Sequence, residues 1–215
     1  MANDNRLISV GSFAAKTAVM GPGRRACLWV AGCDRNCPHC ATPEYHRADA
    51  NPLSDVQAIF DRVLRAKDKY GLEGFSISGG EPFAQAPALA ELCRLIRPLG
   101  LSTLCWTGYR ESELRGSAAP PGAADLLAEL DVLIDGPFVY EQVCGDLPLR
   151  GSGNQRLRLL TDRYCENDFA DLAGQFEIVN DGQLTDKNQL VLRGVIDIEV
   201  FRTITDALGI TVMEK

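Results

Sequence analysis

The stretch ACLWVAGCDRNCPHC, residues 26–40, decides how the rest of the chain is read. Its first half, ACLWVAG (26–32), is an apolar run of the length of a short buried strand. Its second half turns at once into a loop carrying Cys33, Cys37 and Cys40 in the spacing C-x3-C-x2-C. Metal sites built for structural support usually close with four ligands. Three thiolates on one short loop fit a different chemistry, because an iron–sulfur cubane held by three protein sulfurs leaves one iron open to an outside molecule.

Working outward from that loop, the apolar pattern alternates between strand and helix. GFSIS (74–78) is a second strand that ends in GGEP, LSTLCW (101–106) a third that ends in TGY, and DVLID (131–135) a fourth that ends in GPF. Between them lies a helix over 54–70 with Val56, Ile59, Phe60, Val63 and Leu64 on one face, Ser54 and Gln57 as its capping box and Gly71 as its stop after Lys67 and Lys69. A second helix places Leu89, Leu92, Cys93 and Ile96 on one face, and a third covers 123–130. Pro120 and Pro121 form a loop inside this pattern, not a domain linker. Strand and helix in alternation predict a parallel sheet with crossover helices. The carboxyl ends of such strands gather on one rim, where ligands bind. The cysteines and the GGEP, TGY and DGPF segments therefore share that rim.

Composition bounds the function. With 215 residues, 46% of them hydrophobic, the chain can bury one sizeable core. A net charge of -7 and a pI near 4.9 argue against a broad basic surface, so nucleic acid is not expected as a partner. The start MANDNRLISV has no basic segment and apolar run of a secretory signal, and no stretch reaches the roughly 18 apolar residues of a membrane span. No membrane partner is expected, and the expected compartment is the cytoplasm. In that reducing setting clustered cysteines bind metal or act in redox chemistry rather than form a disulfide framework.

The C-x3-C-x2-C loop resembles the signature of the radical S-adenosylmethionine superfamily. GPGRRACLWVAGC (21–33), SISGGEPF (76–83), WTGY (106–109), LIDGPFV (133–139) and LRGSGNQR (149–156) resemble, in order and spacing, the family of anaerobic ribonucleoside-triphosphate reductase-activating proteins, which are glycyl-radical activases. The resemblance covers roughly residues 20–160. It implies an incomplete parallel β/α barrel of the radical SAM type over 1–160 with one 4Fe-4S cluster, followed by an α+β extension over 161–215 packed on the same domain.

The resemblance also implies a mechanism and a set of roles. S-adenosyl-L-methionine chelates the open iron through its amino and carboxylate groups. A one-electron donor such as flavodoxin or ferredoxin reduces the cluster, the sulfonium is cleaved to methionine and a 5′-deoxyadenosyl radical, and the radical takes hydrogen from a backbone glycine of a large partner, an anaerobic ribonucleotide reductase-like glycyl-radical enzyme. Cys33, Cys37 and Cys40 match the cluster ligands. Ser78, Gly79, Gly80, Glu81 and Pro82 match the segment that receives the methionine amino group, and His39 occupies a position where backbone and ring can meet the adenine. Thr107, Gly108, Tyr109 and Asp135 are expected to line the same cavity.

Each motif has a plainer reading. Three cysteines with His39 or His46 could close a structural zinc site. SGGEP could be a turn, Tyr109 a packed aromatic and Asp135 a cap on the next segment. Two further functions stay open: a stand-alone radical enzyme acting on a peptide or small heterocycle, and a non-catalytic iron–sulfur or zinc-binding redox module.

Cys93 on its helix face and Cys27 and Cys105 in strands read as buried apolar thiols, and Cys144 and Cys165 are isolated, so one cluster is expected. Arg24 and Arg25, and Arg150, Arg156, Arg158 and Arg163, form local positive patches that could dock an acidic electron donor or the partner. FEIVNDG and LVLRGVI read as two strands of the extension, followed by a helix capped by Asp197 and an end strand around ITVM.

Overall fold

The computed structural model describes residues 6–180, 190–194 and 203. Nine strands and four helices follow one another along this part of the chain. β1 (Leu7–Thr17), β2 (Arg25–Val30) and β3 (Leu53–Asp55) lead into α1 (Val56–Tyr70). β4 (Gly74–Gly79), α2 (Ala86–Ile96), β5 (Ser102–Trp106), α3 (Glu111–Leu114), α4 (Ala123–Ala128) and β6 (Val132–Asp135) continue the alternation. β7 (Arg156–Leu159), β8 (Phe176–Asn180) and β9 (Leu190–Gly194) complete it.

The first seven strands form one sheet in the order β3-β1-β2-β4-β5-β6-β7. β2, β4, β5 and β6 are parallel neighbours, joined by α1, α2 and the α3–α4 segment as the sequence pattern predicts. Antiparallel strands flank them: β1 and β3 on one side, β7 on the other. The sheet is therefore mixed and open. β1 and β3 carry no clean alternation, and β7, which does alternate as RLRL, is only four residues long. β8 and β9 pair with each other as a separate two-stranded sheet.

The two faces of the sheet bury different neighbours, as the period of two along a strand requires. Ala26, Leu28, Val30, Phe75, Ile77, Cys105 and Leu133 belong to the core shared with α1 and α2, where Ile59, Val63, Leu89, Leu92, Cys93 and Ile96 lie fully buried. Burial pushes the Cys93 thiol up to about 12, and Cys105 is raised for the same reason; both are packing groups. On the other face Leu104, Val132 and Ile134 cluster with Leu149 and Phe169. The start of the extension therefore packs on the main sheet, Phe169 meeting Tyr164 edge-on at 5.6 Å between ring centroids. The expected helix capped by Asp197 and the strand around ITVM lie outside the described residues. Among the described residues no helix is long and apolar enough to cross a membrane.

One expectation is corrected. Helix α1 is capped by Asp55, whose Oδ1 accepts from Gln57 N at 2.7 Å, and not by Ser54. Ser54 is taken up in β3, paired with Ile8, so a motif that suits a capping box serves as a strand instead. At the other end Gly71 stops the helix at φ 61 as expected, its N–H on Lys67 O.

The arginines of the expected positive patches differ in their surroundings. Arg25 is fully buried, and Arg24 pairs with Glu73. Arg156 and Arg158 are drawn to Asp135, Arg163 donates to Gly100 O and Arg150 to Pro148 O.

Candidate iron–sulfur site

The cysteine loop is closed at its base by backbone bonds. Gly32 N donates to Tyr45 O at 2.7 Å and Cys33 N to His46 O at 2.9 Å, so residues 33–44 form a loop whose two ends are fastened side by side. The end of β4 lies directly against that base: Gly80 N donates to Val30 O at 2.7 Å and Glu81 N to Gly32 O at 2.8 Å. This approach requires glycine. A Cβ at Gly80 would stand 2.5 Å from Gly32 O and 2.9 Å from Tyr45 O, and one at Gly79, where φ is +107, would stand 2.3 Å from Val30 O. The double glycine of SGGEP thus admits the root of the cysteine loop, in addition to any role toward a ligand.

Within the loop Asn36 and His39 take left-handed φ values of 45 and 56, conformations that turn a short chain back on itself. Cys40 N donates to Cys37 O at 3.2 Å, and Cys40 Sγ lies 3.9 Å from Thr42 Oγ1, whose hydroxyl reaches Gly79 O at 3.4 Å. All three cysteines are partly exposed. Partial burial pushes the Cys33 thiol up, opposed by the backbone N–H groups of Arg35 and Asn36. Three accessible sulfurs on one fastened loop suit a cluster, whose irons are spread over several ångströms. Among the described residues no three His, Cys, Asp or Glu side chains converge as ligands of a single ion would. His39 instead stacks on Tyr140, with centroids 4.0 Å apart and planes at 30°.

A single carboxylate ties the other motifs together. Glu81 is 1% exposed. Its Oε1 accepts from Phe83 N at 2.9 Å and from the Thr107 hydroxyl at 2.8 Å, and its Oε2 accepts from Gly108 N at 2.8 Å. Burial pushes this carboxyl up, while those three donors and Arg35 pull it back toward the ionised form. Arg35, inside the cysteine loop, brings Nε to 3.8 Å from Glu81 Oε2 and lays its guanidinium 3.8 Å over the Tyr109 ring. A Cβ at Gly108 would meet Arg35 Cδ at 2.4 Å. CDRNC, GGEP and TGY are thus one unit.

The remaining expected residues fall on the same rim. Ser78 and Gly79 end β4, Pro82 and Phe83 are buried in the turn that follows, and Tyr109 N donates to Thr107 Oγ1 at 3.1 Å. Asp135 ends β6 with no exposed surface. Its Oδ2 accepts from Glu111 N at 2.7 Å, which holds the start of α3, and both oxygens are bridged by Arg156. Asp135 therefore has its carboxylate engaged by protein on every side the described residues show.

Sequence reasoning missed Arg35, Tyr140 and the pairing of Asp135 with Arg156 and Arg158. A basic residue between two cysteines of the loop was the one signal available for Arg35. Four buried polar side-chain atoms lack a hydrogen-bond partner among the described residues: Arg35 Nε, His46 Nε2, Asn154 Oδ1 and Arg158 Nε. Arg35 lies in the cysteine loop, His46 just beyond it, and Asn154 and Arg158 in the segment before and within β7. Arg35 Nε and Arg158 Nε still have carboxylates within 3.8 Å, at Glu81 and at Glu111 and Asp135.

The 4Fe-4S single cluster domain family model matches residues 19–158. The chain is 34% identical over 144 residues to the anaerobic ribonucleoside-triphosphate reductase-activating protein of Escherichia coli (strain K12), covering 64% of this chain and 89% of that protein. It is 34% identical over 155 residues to the protein of the same name from Vibrio cholerae, covering 66% and 92%. It is 29% identical over 96 residues to the pyruvate formate-lyase-activating enzyme of Listeria monocytogenes, covering 44% and 39%. The matched residues contain the cysteine loop, GGEP, TGY and Asp135 together, and on these grounds the chain belongs to the 4Fe-4S single cluster domain family and, as an enzyme, to its radical S-adenosylmethionine activases.

Proposed function

We propose that the chain installs a glycyl radical on an anaerobic ribonucleotide reductase-like partner, using one 4Fe-4S cluster, S-adenosyl-L-methionine and a one-electron donor such as flavodoxin or ferredoxin, in the cytoplasm. The observation that supports this reading is the fastening of the cysteine loop to the ends of β4 and β5 through Glu81 and Arg35. In the proposed arrangement residues 1–160 make a partial β/α barrel and 161–215 an extension packed on it.

Cys33, Cys37 and Cys40 would hold the cluster and leave one iron for the amino and carboxylate groups of S-adenosylmethionine. A cluster bound there would supply the one-electron chemistry for cleaving the sulfonium, and so the radical directed at the partner's glycine. The chain's own residues orient and shield. Ser78, Gly79, Gly80, Glu81 and Pro82 would receive the methionine amino group, with carbonyls kept in place by the bonds of Gly80 N and Glu81 N to the β2 end. His39, its ring held by Tyr140, would meet the adenine. Thr107, Gly108, Tyr109 and Asp135 would complete the wall, the first two by fixing Glu81 and the last by fixing the start of α3.

Anaerobic reconstitution followed by reductant and S-adenosylmethionine should yield methionine and 5′-deoxyadenosine, and Cys37→Ala should abolish both. A zinc adduct with no cleavage would favour the non-catalytic module. Mixing with a candidate reductase should then give a glycine-centred doublet by electron paramagnetic resonance. The pair β8–β9 lies beyond the residues matched by the family, 19–158, and this favours as second reading the same radical chemistry on a different substrate. Cleavage without a doublet from any candidate reductase would select it.

A further inference from the structure

Arg35 sits between two of the proposed cluster ligands and is the one cation that the cysteine loop itself, residues 33–44, contributes. Its position is fixed from three directions. The guanidinium lies 3.8 Å over Tyr109, Nε stands 3.8 Å from Glu81 Oε2, and the stem crosses Gly108 where a Cβ would be only 2.4 Å from Cδ. Its side chain is 22% exposed against 2% for Glu81, and its Nε is buried without a hydrogen-bond partner. The separation from Glu81 is that of an ion pair without a direct hydrogen bond. A charge so confined and so little hydrated acts over a longer range than one on the surface.

Glu81 is the complementary half. Its charge is felt at Cys33 of the cysteine loop, and Phe83, Thr107 and Gly108 supply it only with dipoles, so Arg35 is its one full counter-charge among the described residues. Adding an electron to a cluster already held by three thiolates is opposed by any further negative charge close by, and cluster potentials respond to net charge and hydrogen bonding around the sulfurs.

We propose that Arg35 is a positioning residue that locks the cysteine loop to the strand-end rim and offsets the Glu81 carboxylate, so that the reduction potential of the bound cluster is set by the Arg35–Glu81 pair. The proposal rests on the reading that Cys33, Cys37 and Cys40 hold the cluster. It assigns to Arg35 neither contact with the reacting atoms nor a proton transfer.

The test is an anaerobic redox titration of the reconstituted full chain, read by the spectrum of the reduced cluster. One Ti(III) ion becomes Ti(IV) as one cluster takes its electron, and no bond in the protein forms or breaks. Arg35→Gln is expected to lower the reduced-to-oxidised ratio at a fixed potential about tenfold, which is about 59 mV for one electron. Arg35→Gln with Glu81→Gln is expected to return to the wild-type potential, and Arg35→Lys, which keeps the charge, to hold it. An Arg35→Gln potential equal to wild type, or a double variant as low as the single, would overturn the proposal. If Arg35→Gln does not take up four irons, Glu81→Gln alone decides: a raised potential supports the pair and an unchanged one overturns it. A wild-type chain that takes up no iron and sulfide overturns both this proposal and the site reading; a loaded wild type with an unshifted Arg35→Gln overturns this one alone.

Discussion

The parallel strands have a buried charge at each end, and the two are held in opposite ways. At the amino ends Arg25, Gly74 and Ser102 stand in register across β2, β4 and β5. The five N–H groups of Arg25 all find oxygen: Nε on Ser76 Oγ at 2.6 Å, Nη1 on Pro22 O at 3.1 Å and Ser102 Oγ at 2.8 Å, Nη2 on Phe75 O at 2.9 Å and Ser102 O at 3.1 Å. Burial pulls its pKa down, yet no carboxylate bonds to it directly among the described residues. At the carboxyl ends Glu81 also has neutral donors, but it stands beside a cation whose Nε has no hydrogen-bond partner. A complete set of bonds marks a structural plug. An incomplete one marks a place prepared for something else, as expected for the two ends of a parallel α/β sheet.

Substitutions at the two ends can break this contrast, starting with the largest effect. Arg25→Met should cost about 3–5 kcal/mol, because it strands several buried acceptors. The urea midpoint checks this, while S-adenosylmethionine cleavage per folded molecule should stay at the wild-type level. A cost below about 1 kcal/mol would show that the plug is dispensable.

The same substitution at both ends sharpens the contrast. Gly74→Ala places a Cβ 2.1 Å from Arg25 Nη1 and should cost about 2–3 kcal/mol in denaturation. Gly80→Ala drives a Cβ into two backbone oxygens of the cysteine loop. It should therefore reduce iron and sulfide uptake by a larger factor than Gly74→Ala, measured on equal amounts of folded protein.

Glu81→Gln should change stability by about 1 kcal/mol and alter its pH dependence. Burial raises the Glu81 pKa from its ordinary 4.5, so the folded chain binds this proton more tightly than the unfolded one. That contribution is full below the ordinary value and is lost as pH rises through the raised one. In cluster-free protein, denaturation from pH 4 to 8 should show that decline in the wild type and a flatter profile in the variant. Smallest of all, Arg24→Ala, next to Arg25 but exposed and paired with Glu73 at 3.7 Å, should stay within about 0.5 kcal/mol. A large loss there would erase the distinction between the two arginines.

Much of the rim was legible before any coordinates. Cys33, Cys37 and Cys40 were readable because thiolates in that spacing have few uses, and β2, β4, β5 and β6 because short runs rich in apolar and β-branched residues each end in a turn signal. Ser54 misled because S-x-x-Q suits a helix start until β1 claims the residue for a strand. Arg25 misled because a charge next to another charge reads as surface, and only the register of three strand ends surrounds it with oxygen.

Residue chemistry and apolar period alone determined the alternating α/β order, the cysteine loop and the strand ends where polar segments fall, since both signals are local. Tertiary structure alone decided that Glu81 joins three of those segments, that Arg35 reaches it and that Arg25 is a plug. Each of those facts depends on residues far apart in the chain meeting at a distance of a few ångströms, and no local pattern encodes a meeting of that kind.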